Sequence, residues 1–186
     1  RLSFADFIKF GSVAIPLVIF CILGVLILIK LLIKKVPISS KMSYLIAIGT
    51  SVCGATAIVA TAPSINARKE EVAYAIANVS IFGIFAMVIY PFVAHYLFPT
   101  NPVFAGLFLG SSIHETGQVA GAGMIYSDQY LSPKVFDVST VTKLVRNTAM
   151  IIVIPYLSFK YTRGVGTKNS FGRRLYQIFP FFISHV

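Results

Sequence analysis

The stretch Gly110-Ser-Ser-Ile-His-Glu-Thr-Gly-Gln-Val-Ala-Gly-Ala-Gly123 places His114, Glu115 and Gln118 among small and hydroxyl-bearing residues, inside an otherwise apolar run. A charged side chain at the centre of a transmembrane helix costs on the order of 2.5 to 3.5 kcal/mol on insertion scales. Glycine and hydroxyl residues suit a broken helix that lines a cavity, because the freed backbone groups must find partners away from lipid. The stretch therefore indicates a transport or catalytic site inside a membrane.

The composition of the whole chain supports a membrane protein. Hydrophobic residues make up 56% of the sequence, charged residues 12%, and the mean hydropathy is +0.82. A soluble domain carries about a quarter charged residues. The net charge of +10 lies in short clusters between apolar runs, and no nucleic-acid-binding motif accompanies them. We therefore expect the lipid bilayer as a partner, and no nucleic acid.

Five long hydrophobic segments and a shorter sixth divide the sequence. They cover about residues 10–33, 42–67, 72–97, 103–126, 138–159 and 176–186. Each of the first five is long enough to cross a bilayer as a helix, and none alternates like a barrel strand. We predict an all-α polytopic membrane protein with one membrane domain over residues 1–186, whose second and fourth segments are Gly-broken. The sixth is too short to cross, so we expect a central fragment of a longer transporter.

Basic residues predict how these segments are oriented. Half of the 16 lysine and arginine residues lie in residues 34–41 and 160–174, and the positive-inside rule makes both of these loops cytoplasmic. If the second and fourth segments span the membrane, Arg68 and Lys69 lie on the opposite side. If both segments are re-entrant, these two residues join the cytoplasmic side and the rule fits slightly better. The sequence alone does not choose between these alternatives.

The second and fourth segments resemble each other, since residues 49–56 (GTSVCGAT) align with residues 110–117 (GSSIHETG). Paired Gly-interrupted segments are the best sequence indication of a secondary transporter's binding site. Exposed N–H groups at a half-helix start can hold an anion, although small residues also simply allow close helix packing. The predicted substrate-binding residues in these segments are Thr50, Ser51, Cys53, Gly54, Ser111, Ser112 and Gln118.

The pair His114-Glu115 invites comparison with the zinc motif H-E-x-x-H, which needs a second histidine four residues after the first. That position holds Gln118, and neither His95 nor His185 has the required spacing. We therefore predict no metal site and no cofactor. Beside a water-filled cavity, His114 and Glu115 suit a proton relay or ion-coupling element. The alternative is a hydrogen-bonded pair that fastens two helices.

A second pair of charged residues lies in the fifth segment. Lys143 and Arg146 are three residues apart and share a helix face, with Arg146 close to the middle of its apolar span. A buried arginine normally faces a cavity or pairs with a carboxylate. One interpretation pairs Arg146 with Glu115. The other assigns Lys143 and Arg146 to an anionic substrate, for which a guanidinium is well suited.

Four strings carry a family resemblance: GTSVCGATAIVATAP at 49–63, EEVAYAIANVSIFGIFAMVIYP at 70–91, GSSIHETGQVAGAG at 110–123 and VTKLVRN at 141–147. In this order they resemble the YeiH-type family, bacterial inner-membrane proteins assigned as sulfate exporters by similarity. Bile-acid-symporter-like carriers are thought to be its distant relatives. The resemblance implies a multi-pass carrier in the bacterial plasma membrane that exports sulfate or a related small oxyanion.

Together, these observations predict a secondary active transporter that moves a small anion by alternating access, and not an enzyme. We expect H⁺ or Na⁺ as the coupling ion. Association of several copies into a homo-oligomer is compatible with this prediction. Two alternatives remain at this point: a structural or channel-like membrane subunit, and an intramembrane metalloenzyme.

Overall fold

A computed structural model describes residues 4–32 and 38–156, and the regular structure in these residues is helical, as the all-α prediction requires. The predicted segment at 176–186 and all of the basic residues after 159 lie outside the described residues. The helices are α1 (Phe4–Leu32), α2 (Ser40–Ser51), α3 (Ala55–Thr61), α4 (Lys69–Leu97), α5 (Pro102–Ser112), α6 (Thr116–Tyr130) and α7 (Pro133–Thr148), with a 3₁₀ turn at Ala62–Ile65 and further helical residues at 150–156.

Two of the described helices are long and apolar enough to cross a membrane, at Phe10–Ile29 and Lys69–Leu97. Their outward faces carry large apolar side chains, such as Phe20 (76% exposed) and Phe82 (65% exposed). Exposed apolar patches of this kind mark contact with lipid or protein rather than water. The shorter helices must therefore be placed by their contacts with these two.

The second predicted segment is a hairpin rather than one continuous helix. The Lys41 ammonium donates to the carbonyl of Asn66 at 2.6 Å, so the start and the end of the segment lie at the same end of the bundle. Its two arms pack closely, since a Cβ on Gly49 would lie 2.7 Å from Ile58 Cδ1. We call α2 and α3 the first hairpin, and residues 52–54 its tip.

The fourth predicted segment is a second hairpin that enters from the opposite end. The His95 ring, in the last turn of α4, stacks on the Tyr130 ring at the end of α6, with 3.6 Å between centroids. The N–H of Asn101, just before α5, donates to Phe98 O at 3.3 Å. Both arms therefore meet the same end of α4. We call α5 and α6 the second hairpin, and residues 113–115 its tip.

This arrangement corresponds to the re-entrant alternative. The Ser39 hydroxyl donates to Glu71 Oε1 at 2.6 Å, which places the start of α2 against the start of α4. Lys41, Arg68 and Lys69 therefore lie at one end of the bundle. The positive-inside rule predicts that this end faces the cytoplasm.

Helix α7 runs past both tips. It packs along the second hairpin through two glycines of α5. A Cβ on Gly106 would lie 2.6 Å from Val138 Cβ, and a Cβ on Gly110 would lie 2.7 Å from Thr142 Cβ. Beyond the tips, residues 150–156 pack against the first hairpin in a core shared with α2 and α3. The close approach to α5 brings the C-terminal half of α7 within reach of both breaks.

The two breaks have different backbone causes. Gly54 adopts φ 68° and ψ −128°, a conformation that side-chain-bearing residues rarely adopt. Ile113 and Glu115 instead have ordinary extended backbones, with φ −89° and −100°. The prediction of two Gly-broken segments therefore holds at the first break, whereas the second break contains no glycine.

Candidate functional site

The tips of the two hairpins touch each other inside the bundle. A Cβ on Gly54 would lie 2.8 Å from Glu115 Cγ and 3.5 Å from the carbonyl oxygen of His114. Four helix ends therefore converge at one place: the C-terminal ends of α2 and α5, and the N-terminal ends of α3 and α6. Helix ends leave unpaired backbone groups, so this place needs partners for them.

Lys143 supplies partners for both tips. Its side chain is fully buried, and its ammonium donates to the carbonyl oxygens of Val52 at 3.3 Å, Ile113 at 3.0 Å and His114. An ammonium has three N–H donors and no acceptor. Each donor of Lys143 therefore has a backbone carbonyl partner, one on the first tip and two on the second.

Arg146 binds the last turns of α2 and α5 in the same way. Its guanidinium donates through Nε to Ser51 O at 3.1 Å, through Nη2 to Thr50 O at 2.5 Å and through Nη1 to Ser111 O at 2.5 Å. The side chain is 1% exposed. Arg146 therefore joins the two hairpins one helical turn further along α7 than Lys143.

The positions of these cations follow from helix electrostatics. The C-terminal end of a helix carries a partial negative charge, so cations are stabilised there. Lys143 and Arg146 lie at the C-terminal ends of α2 and α5 and contact carbonyl groups of both hairpins. The two predicted site residues thus bind backbone rather than an exposed ligand surface.

Glu115 lies at the opposite kind of helix end. It is the N-cap of α6, beside the N-cap Gly54 of α3, where a negative charge is favoured. The carboxylate is half-buried and accepts a hydrogen bond from the Ser80 hydroxyl at 3.1 Å. It does not form the ion pair with Arg146 that one interpretation expected. Among residues 4–32 and 38–156, an ion pair forms elsewhere, between Arg68 Nη2 and Glu71 Oε1 at 3.7 Å.

Helix α4 supports the second tip through two residues one turn apart. The Gln118 side-chain amide donates to Ser80 O at 3.2 Å, and its buried Oε1 has no hydrogen-bond partner. A Cβ on Gly83 would overlap the Gln118 amide, so only glycine leaves room for it in this conformation. The first turn of α6 therefore rests on a polar, glycine-lined face of α4.

His114 contributes mainly its backbone to the contact between the tips. Its carbonyl accepts from Lys143, while its half-buried imidazole has Nδ1 buried without a hydrogen-bond partner. Next to it, Asn147 Nδ2 donates to the Thr116 hydroxyl at 3.1 Å, and Asn147 Oδ1 is buried without a partner. The second tip therefore holds polar atoms whose hydrogen-bonding capacity is not used.

The predicted hydroxyl ligands turn toward their own helices. Thr50 donates to Ile46 O at 2.7 Å, Ser51 to Ala47 O at 2.5 Å and Ser111 to Phe108 O at 3.3 Å. Their carbonyls, rather than their hydroxyls, face the cations of α7.

The remaining predicted ligands differ in exposure. Ser112 is half-buried at the end of α5. Cys53 is buried, with its sulfur 2.9 Å from the sulfur of Met150. Cys53 therefore packs in the core that the first hairpin shares with residues 150–156.

Two residues of this site, Ser80 and Gly83, were not singled out by the sequence analysis. Their signal was present, since a serine and a glycine three residues apart share one face of an apolar helix. It was weak beside the charged residues of the neighbouring segments. The backbone ligands of Lys143 and Arg146 leave no signal in sequence at all.

Comparison with known proteins assigns the chain to a family. A family model described as "Conserved hypothetical protein 698" matches residues 1–185. A UPF0324 membrane protein of Fusobacterium nucleatum is 33% identical over 98% of this chain and 52% of its own length. Others from Streptococcus pneumoniae and Vibrio vulnificus are each 32% identical over 98% of this chain, and over 53% and 55% of their own lengths.

The chain therefore belongs to this family, which is the YeiH-type family of bacterial membrane proteins that the resemblance predicted. It spans about half the length of the curated relatives that it matches. No solved structure matches it.

Proposed function

We propose that this chain forms the substrate-binding part of a secondary active carrier that moves a small anion across the bacterial plasma membrane by alternating access. The observation that carries the proposal is the meeting of two hairpin tips, entering from opposite ends, around Glu115, Lys143 and Arg146. Non-helical backbone inside a membrane is tolerated where it is buried in protein or lines a water-filled cavity. Transporters build their binding sites from such interrupted helices.

The balance of charge at the tips favours an anion. Two buried cations face one carboxylate, so the site carries an excess of positive charge when Lys143, Arg146 and Glu115 are all ionised. The C-terminal helix ends are already occupied by the cations, whereas the first N–H groups of α6, beside Glu115, lie at a helix N-terminus, where an anion can bind. Thr116 and Gly117, in the first turn of α6, are exposed and provide access.

Sulfate is the substrate that the family resemblance implies, and a tetrahedral oxyanion fits a site made of backbone N–H donors. In this proposal, Lys143 and Arg146 hold the hairpins together and supply the positive field, without contacting the anion directly. The hydroxyl of Ser112, the amide of Gln118 and the first N–H groups of α6 are its proposed ligands.

Glu115 is the proposed coupling residue, with His114 beside it. A carboxylate at the N-terminus of α6 competes with an anion for the same positive helix end. Protonation of Glu115 removes this competition, so anion binding and proton binding favour each other. Such a carrier moves a proton and an anion in the same direction.

The decisive experiment measures radiolabelled sulfate flux in liposomes that contain the complete protein, with and without an imposed pH gradient. We expect gradient-dependent flux from the wild type and its loss in Glu115→Gln, which cannot change its protonation state. The exposed Lys134 provides a matched control, and Lys134→Gln should transport as the wild type does. Wild-type, gradient-driven flux from Glu115→Gln would contradict the proposed coupling.

A structural or channel-like subunit is the second candidate. It is favoured by the binding of Lys143 and Arg146 to backbone carbonyls, which is also what a purely structural role requires. For a subunit of this kind, the reconstituted protein would show no gradient-dependent accumulation of sulfate or of other small anions, although Lys143 and Arg146 variants would still unfold more easily.

A further inference from the structure

The ammonium of Lys143 occupies a small cage of backbone oxygens. The carbonyl of Val52 comes from the first tip, and the carbonyls of Ile113 and His114 come from the second. The side chain that occupies the cage is completely buried, because Lys143 has 0% exposure. Neither hairpin alone provides all three oxygens, so the cage exists only while the two tips are together.

Backbone carbonyls at helix breaks bind cations in other carriers. Unwound backbone and the C-terminal ends of half-helices coordinate the coupling cation in sodium-driven carriers. An oxygen-lined site suits a hard cation, and an ammonium differs from Na⁺ mainly in needing directed hydrogen bonds. In this protein the cation at such a site is covalently attached to α7.

We propose that the carbonyls of Val52, Ile113 and His114 form a monovalent-cation site that Lys143 fills as a tethered cation. Removing the Lys143 side chain beyond Cβ vacates this site without changing its ligands, which belong to the backbone. The vacated site accepts small monovalent cations, with primary alkylammonium ions the best fit because they reproduce both the charge and the three donors.

One consequence concerns coupling, and this part rests on the proposed carrier function. With Lys143 in the cage, the carbonyls of Val52, Ile113 and His114 are not free to bind Na⁺. The coupling ion is then H⁺, bound at Glu115, and flux from the wild type is the same in sodium and in choline buffers.

The site itself is tested on the complete, purified protein in detergent, with Lys143→Ala and thermal unfolding as the readout. We expect the unfolding midpoint to fall by on the order of 10 °C. Because n-propylammonium has the atoms that this variant deletes, adding it should restore most of the loss. The neutral n-propanol should not, and NaCl should stabilise the variant more than choline chloride does.

Two matched variants separate cation binding from general stabilisation. Lys143→Met fills the same space without charge or donors, so it should be destabilised and should not respond to n-propylammonium. Lys134→Ala removes an exposed lysine of the same helix and should behave as the wild type. An equal response of all these proteins to n-propylammonium, or a Lys143→Ala variant as stable as the wild type, would overturn the proposal.

If Lys143→Ala does not accumulate in the membrane, a comparison of Lys143→Arg with Lys143→Met replaces it. The two side chains fill the cage region, but only arginine keeps a cation there, so folded Lys143→Arg should be recovered in clear excess over Lys143→Met. Equal recovery would exclude a requirement for a cation. These measurements do not depend on transport, so failure of the carrier proposal leaves them interpretable.

Discussion

The two hairpin tips are held by the same cations but are built differently. At the first tip Val52, Cys53 and Gly54 are all buried, and the chain reverses through Gly54 at positive φ. At the second tip Ile113 is also buried, but His114 and Glu115 are half-buried, and the backbone is extended at Ile113 and Glu115.

The two tips also differ in the chemical groups that they provide. The first tip offers α7 its carbonyls and carries no ionisable side chain apart from the buried thiol of Cys53. The second tip offers the same kind of carbonyls but also carries His114 and Glu115. We infer that the first tip gives structural support, whereas the second tip carries the ionisable groups of the proposed carrier.

The largest expected effect comes from replacing Arg146, one of the two cations that bind both hairpins. Arg146→Gln leaves the carbonyls of Thr50, Ser51 and Ser111 without their charged donor, and stranded buried groups are costly. We expect the free energy of unfolding to fall by about 1–3 kcal/mol for each carbonyl left without a partner. Denaturant unfolding of the complete protein in detergent measures it.

Arg146→Lys is the matched control, because it keeps the charge but not the forked donors. It should lose part of this stability, because an ammonium is a compact point charge and does not reproduce the forked donors with which the guanidinium binds Thr50, Ser51 and Ser111. If Arg146→Gln were as stable as the wild type, the hairpins would not be joined through this side chain.

The next effect tests the first tip alone. Gly54→Ala places a Cβ on a backbone at φ 68° and 2.8 Å from Glu115 Cγ, so it is both strained and obstructed. We expect a loss of about 1–3 kcal/mol, measured by the same unfolding assay. The control is Gly24→Ala in α1, where a Cβ meets nothing within 4 Å. Similar stability losses in both variants would show that the tip has no special need for glycine.

Much of the fold could be predicted from sequence because it depends on local composition. Apolar runs defined the helices, and the small-residue stretches located both breaks to within a few residues. The choice between spanning and re-entrant segments depends instead on contacts such as Lys41 with Asn66, 25 residues apart. Both alternatives have the same hydropathy, so no local pattern distinguishes them.

The residues of the candidate site could be predicted from the sequence, but the partners that their side chains bind could not. Lys143 and Arg146 stood out as charges in an apolar segment, yet their partners are backbone carbonyls, which every residue has. The hydroxyls of Thr50 and Ser51 suggested ligands, but hydroxyls in helices commonly donate to carbonyls of the preceding turn, as these two do. Residue type alone does not tell which of these roles a buried polar group takes.

A smaller effect probes how α4 orients the second tip. Ser80→Ala removes the hydroxyl that donates to Glu115, which should cost about 0.5–1.5 kcal/mol of stability and slow proton-driven flux without abolishing it. Thr140→Ala is the control, because its hydroxyl donates within its own helix to Phe136 O at 2.8 Å. Flux that falls equally in both variants would separate Ser80 from the site.

The smallest expected effect distinguishes packing at the second tip from helix propensity. Gly83→Ala displaces the Gln118 amide and breaks its hydrogen bond to Ser80 O, at a cost of about 0.5–1.5 kcal/mol. Alanine is also the better helix former, by up to about 1 kcal/mol, so the net change in unfolding free energy should be small.

The sign of this change depends on Gln118. In a Gln118→Ala background the obstruction is gone, and Gly83→Ala should then stabilise the protein through helix propensity alone. The double-mutant cycle therefore isolates the contact between α4 and the second tip. Additive effects of the two substitutions would mean that Gly83 is not there to accommodate Gln118, and that the second tip rests on α4 through Ser80 alone.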